Sequence, residues 1–162
     1  MSVGAPVDLV AGSEGMRHGI NLMYTKMFLS TLIEKVREKA KQFPGVIDTS
    51  GLDDCRDLNA FDDMFTAPMH GFADSLDYWT KCSAKPVLKD VHVPLLLLNS
   101  KNDPFLPAEA LPTESEVSSS VYLEQPAEGG HIGYPEGRFP GDLSYLPRRI
   151  MAFFDAVLEG RL

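Results

Sequence analysis

Two residues set the question this sequence poses: Asp103 in the loop segment KNDPFLP, and His131 in QPAEGGHIGY. A carboxylate beside an imidazole fixes the ring's tautomer and stabilises the imidazolium that forms when the ring accepts a proton. Such a ring takes a proton from a nucleophile and returns it to a leaving group. The order, Asp before His, matches the hydrolase chain order Ser…Asp…His. Gly129 and Gly130 precede His131 and let the backbone turn tightly there. Each residue alone has a plainer reading. Asn102-Asp103-Pro104 reads as an Asx-type turn, and a single histidine in a glycine-rich loop reads as surface. It is their joint spacing behind two strand patterns that favours the chemical reading.

Those strands are the elements that must position the pair. VHVPLLLLN, Val91–Asn99, is an aliphatic run flanked by polar residues and predicts a buried parallel strand, with Pro94 at its start. VYLE, Val121–Glu124, predicts a second. Asp103 lies four residues beyond the first strand and His131 seven beyond the second. In open parallel sheets the working residues sit outside the carboxyl ends of the strands.

The remaining elements are mostly helical. Residues 7–20 are glycine-rich and predict a loop or a broken helix. Tyr24–Phe43 predicts an amphipathic helix with Leu29, Leu32, Ile33, Val36, Ala40 and Phe43 on one face, stopped by Pro44-Gly45. That stripe is read either as a lid or as a core-packing helix, and the stripe alone favours packing. Leu58–Phe65 and Ala73–Lys81 predict short helices. Tyr145–Glu159 predicts a last one, with Pro147 in its first turn, Gly160 at its C-cap and Ile150, Phe153, Phe154, Val157 and Leu158 in a stripe. A loop and a further helix are expected between the two strands. The fold class is therefore α/β: about three parallel strands flanked by helices on both faces.

Composition narrows the function classes. The chain has 162 residues, 44% hydrophobic and 23% charged, which is globular. A net charge of −8 repels phosphate backbones and excludes nucleic acid as an expected partner. Cys55 and Cys82 form no metal-binding spacing and read as ordinary reduced thiols. The absence of a signal-peptide pattern and of any long apolar run points to a cytoplasmic protein without stable membrane insertion.

NSKNDPFLP, EGGHIGY and FDDMFTAPMHGFADSLDYW, with APVDL near the start, resemble the YheT-like branch of α/β-fold hydrolases over nearly the whole chain. The resemblance implies a serine esterase or lipase with no metal or cofactor. It makes Asp103 the triad acid and His131 the triad base, and makes 20–90 a helical cap insertion. The chain then reads as the C-terminal half of the α/β-hydrolase fold, a partial domain spanning 1–162. The family's G-x-S-x-G elbow and its oxyanion donors belong to an earlier half that is absent here.

Such a chain is expected to be inactive alone and to self-associate through its exposed sheet edge. Two other readings stay open. One is a non-catalytic, partner-binding module. The other is a small self-contained esterase using Ser13, whose Ala11-Gly12-Ser13-Glu14-Gly15 loosely matches an elbow if VDLVA is a strand. Phe105 and Tyr134 are read as acyl-pocket walls or as packing under the loops. His70 reads as part of the cap, and His18 and His92 as structural or exposed.

Overall fold

The computed structural model describes residues 1–162, which divide into two compact units: Met1–Asp8 with Ala84–Leu162, and Leu9–Ser83. The first unit holds a three-stranded parallel sheet in the order β1 (Ser2–Val3), β2 (Leu95–Leu98), β3 (Val121–Glu124). In register, Ser2 pairs with Leu97, Leu95 with Val121 and Leu98 with Glu124. The central strand begins at Leu95 rather than Val91 because Pro94 has no N–H to give. The first ladder donor there is Leu95, to the Ser120 carbonyl at 2.9 Å. Val93 stays outside the strand and is exposed.

Alternation along β2 and β3 sorts the two faces. Leu95, Leu97, Val121 and Leu123 point to one side, where Val7, Val91, Val117 and Leu88 cover them. Leu88 comes from a 3₁₀ helix, Lys85–Asp90, which leads into β2 and packs on this face. Tyr122 and Glu124 point to the other side, where the C-terminal helix, Tyr145–Leu158 (α6), lies. Phe153 sets its ring edge-on to Tyr122. Tyr145 donates its hydroxyl to the Glu124 carboxylate, and Arg149 Nε adds a second donor at 2.7 Å. The buried face of α6 is narrower than its apolar stripe. Phe153 and Ala156 are buried, whereas Phe154 and Leu158 are exposed.

Between β2 and β3 the expected helix is absent. Two 3₁₀ turns, Ala108–Ala110 and Glu114–Glu116, stand in its place. Pro104, Pro107 and Pro112 break up any longer hydrogen-bonded run there.

The second unit is all helical. It begins with α1 (Leu9–Gly15), then α2 (Asn21–Gln42), and continues through α3 (Leu58–Phe61), a π-helical turn (Asp62–Thr66), α4 (Ala67–His70) and α5 (Ser75–Cys82). Its core joins Leu29 and Val36 of α2 to Leu52, Cys55 and Phe61. Leu32 and Ile33 pack against this core, while Phe43 is exposed.

The stretch read as a loop or broken helix is helical over Leu9–Gly15, and α2 starts three residues earlier than expected. The reason is polar. Asn21 and Thr25, both buried, donate to the carbonyls of Gly15 and Met16 and so finish α1. The apolar Ile20, Met23 and Met27 face solvent. The aspartates of the helical segments serve as caps: Asp57 accepts from Ala60 N–H and Asp74 from Asp77 N–H. Asp62, in the π turn, accepts from the indole N–H of Trp79 at 2.8 Å. No helix is long and apolar enough to cross a membrane.

Two outcomes follow for the sheet unit. Phe153→Ala is expected to cost about 3–5 kcal/mol in urea unfolding, against under about 1 kcal/mol for the exposed Phe154→Ala. The second outcome concerns alkaline pH. Burial, then the Glu124 carboxylate, push the Tyr145 phenol from 10.0 up to about 12. The unfolded chain releases this proton near 10 while the folded chain keeps it. The stabilisation is thus complete below pH 10 and is lost as pH rises through about 12. Tyr145→Phe is expected to flatten the fall in melting temperature across that window.

Candidate active site

Parallel pairing of β2 with β3 brings the loops that follow them to one edge of the sheet. Asp103 and His131, 28 positions apart, meet there: His131 Nδ1 donates to Asp103 Oδ2 at 2.8 Å. A carboxylate only accepts, so Nδ1 carries a proton in this bond, and in the neutral ring the lone pair is left on Nε2. The Asp103 side chain is fully buried, and that of His131 is 37% exposed. The second Asp103 oxygen accepts the Phe105 N–H at 2.8 Å. Asp103 therefore makes the Asx-type turn with one oxygen and holds the imidazole with the other. The Phe105 ring stands edge-on to the imidazole, centroids 4.9 Å apart.

Two residues with no chemistry of their own shape the site. Gly4, just past β1, carries on the ladder by donating to the Leu98 carbonyl at 2.9 Å. Its φ is +59°, and a Cβ there would lie 2.7 Å from the His131 carbonyl oxygen and 3.3 Å from ring atoms Nδ1 and Cε1. Only glycine fits. Asn99, at the end of β2, steadies the same region by donating to the Ala5 carbonyl at 3.1 Å.

Tyr134 closes the histidine loop. Its N–H donates to the Gly129 carbonyl at 2.8 Å, with φ at +44°. A Cβ on Gly129 would sit 2.5 Å from the Tyr134 ring. Tyr134 is buried, stacks on Tyr145 at 5.7 Å, and is thus packing beneath the loop and not a pocket wall. Burial holds its phenol above the usual tyrosine range. Sequence reading passed over Gly4. The signal available was a glycine wedged between a valine strand and Ala5-Pro6.

The other candidate residues lie elsewhere. Ser13 is inside α1, where its hydroxyl donates to the Val10 carbonyl. VDLVA is not a strand, so no strand-turn-helix elbow surrounds Ser13. His18 pairs with Glu14 on the surface, and His70 and His92 are exposed. Cys55 is buried, which raises its thiol pKa, and Cys82 is exposed; both are free.

Gly4→Ala puts a side chain into left-handed backbone, at about 1–2 kcal/mol, in addition to the clash with His131. It is expected to lower the melting temperature and to weaken the Asp103–His131 bond, seen in NMR as loss of the fixed Nδ1–H tautomer. An unchanged imidazole spectrum in a folded Gly4→Ala chain would remove Gly4 from the site.

No family model matches the chain, and no solved structure matches it. Over 161 residues, 98% of the chain, it is 32% identical to YheT of Escherichia coli (strain K12), an esterase by name, and this covers 47% of that protein. It is 32% identical over 151 residues to phospholipase ABHD3 of Homo sapiens, covering 92% of the chain and 37% of the relative. Monoacylglycerol lipase ABHD2 of Danio rerio is 32% identical over 117 residues, 69% of the chain and 28% of the relative. The chain thus spans about half the length of YheT and less of the others. Its open sheet of three parallel strands flanked by helices is that of the C-terminal part of an α/β-hydrolase. Matched to YheT over nearly all of its own 162 residues, the chain belongs to the α/β-hydrolase superfamily, in its YheT-like branch.

Proposed function

We propose that Asp103 and His131 are the acid and base of a Ser-Asp-His triad that hydrolyses carboxylic acyl esters, with the serine supplied from outside residues 1–162. The observation that carries this reading is the 2.8 Å bond from a half-exposed imidazole to a fully buried carboxylate, beyond the carboxyl ends of neighbouring parallel strands. The names of the relatives, an esterase, a phospholipase and a monoacylglycerol lipase, favour an apolar acyl ester as substrate.

In this reaction His131 Nε2 takes the serine proton as the serine oxygen attacks the acyl carbon. The imidazolium, paired with Asp103, then gives that proton to the departing alkoxide. A water molecule, deprotonated by the same nitrogen, releases the acid and regenerates the serine. The oxyanion donors, like the serine, come from outside the chain. By itself the chain is expected to turn over esters at background rate. Ser13 is a poor nucleophile candidate, because helix α1 ties its hydroxyl to its own backbone.

The test uses a fluorophosphonate probe and p-nitrophenyl butyrate. The chain alone is expected to give no adduct and no turnover. Co-produced with the nucleophile-bearing part of a YheT-like hydrolase, it is expected to restore turnover that His131→Ala lowers by about 10³-fold or more. An adduct at Ser13 that disappears in His131→Ala would make the chain a self-contained esterase. Restored turnover indifferent to His131 would remove it as the base. Folding of both parts without turnover would favour a partner-binding module.

A further inference from the structure

The residue just before His131 is held at both of its backbone polar groups by the loop that carries Asp103. Gly130 N–H donates to Asn102 Oδ1 at 2.9 Å, and the Gly130 carbonyl accepts from the Ser100 hydroxyl at 2.5 Å. Ser100 is fully buried. Its oxygen also lies 3.0 Å from Asn102 Oδ1, but a hydroxyl has one proton, and the nearer acceptor is the carbonyl. Asn102 is the residue before Asp103, and Ser100 follows β2 by two positions. Gly130 has φ +61°, a conformation in which its N–H and carbonyl both reach this loop.

We propose that Asn102 and Ser100 are positioning residues that clamp Gly130 and thereby set the His131 ring against Asp103. The proposal rests on the functional reading of that pair and extends it. A single Nδ1–Oδ2 bond is a pivot, and the edge contact with Phe105 limits the ring without fixing the glycine-flanked backbone, Gly129-Gly130 and Gly133, that carries it. Two further bonds, both at the residue before the histidine and both from the aspartate's own loop, turn the pivot into a fixed frame. Preorganising a base in this way removes reorientation from the proton-transfer step. Asn102 spends its side-chain oxygen across the gap between loops, although it is exposed and a solvent hydrogen bond is open to it.

NMR on the chain itself tests the clamp, through the ¹⁵N shifts of the His131 ring and the exchange rate of the Gly130 amide. In the unaltered chain the ring is expected to be held as the Nδ1–H tautomer. Asn102→Ala, at an exposed position, is expected to leave the melting temperature nearly unchanged. It should speed Gly130 exchange about tenfold and let the ring average between tautomers. Asn102→Asp keeps the acceptor oxygen and is expected to restore both signals. Ser100→Ala provides the second arm and should also release the ring. A ring that stays Nδ1–H in Asn102→Ala, one that already averages in the unaltered chain, or an Asn102→Asp that behaves like Ala, would each overturn the clamp. The triad reading fails separately. If complemented turnover ignores His131→Ala while Asn102→Ala still frees the ring, the clamp stands and the catalytic role falls.

Discussion

The alignment of β3 alongside β2, same direction and fixed register, is the constraint on which the site depends. Leu95–Leu98 is the middle strand, and its last three residues are buried. Because both neighbours run parallel to it, every segment leaving the sheet at its carboxyl edge emerges on the same side. Residues 103 and 131 meet for that reason. A slip of one residue along β3 would exchange its faces. Tyr122 and Glu124 would leave α6, and Val121 and Leu123 would leave the Leu88 cluster. The side-chain alternation therefore locks the register, and the register sets the meeting point of the two loops.

On this frame the site balances an electrostatic cost. An ionised carboxylate out of water is unfavourable unless its oxygens are bonded. Asp103 meets the condition with one backbone donor and one imidazole donor. Exposure separates the two partners: the Asp103 side chain is wholly buried against its donors, whereas the His131 ring keeps part of its surface open to solvent. The close fit is made by backbone and not by bulk: at Gly4 and Gly129 the chain comes so near its neighbours that any side chain would displace the histidine loop.

Much of this was legible from residue types alone. The strand expected over VYLE is observed over Val121–Glu124, and Asp103 and His131 meet at one edge of the sheet because short loops after parallel strands leave little choice. What stayed hidden has identifiable causes. Helix α1 contains Gly12 and ends at Gly15, so its local propensity argues against a helix that packing nonetheless stabilises. The first turns of α2 bury Asn21 and Thr25, which inverts the apolar signal by which helices are recognised. Between β2 and β3, Pro104, Pro107 and Pro112 together leave no stretch long enough for the expected helix, and two 3₁₀ turns form instead. The approach of Gly4 to His131 joins residues 127 positions apart, a contact no window of sequence contains.

Trp79, bonded through its indole to Asp62, is the one tryptophan of the chain, and it lies in the helical unit Leu9–Ser83. Ultraviolet emission excited at the indole band therefore reports that unit and is blind to the sheet bearing Asp103 and His131. The tyrosines Tyr122, Tyr134 and Tyr145 are the optical reporters of the sheet unit. Tyr24 and Tyr78 share the helical unit with Trp79, so the indole signal alone belongs to a single unit. Loss of cooperativity between the units would show as tryptophan emission that departs from the far-ultraviolet circular dichroism of the whole chain, with no label added.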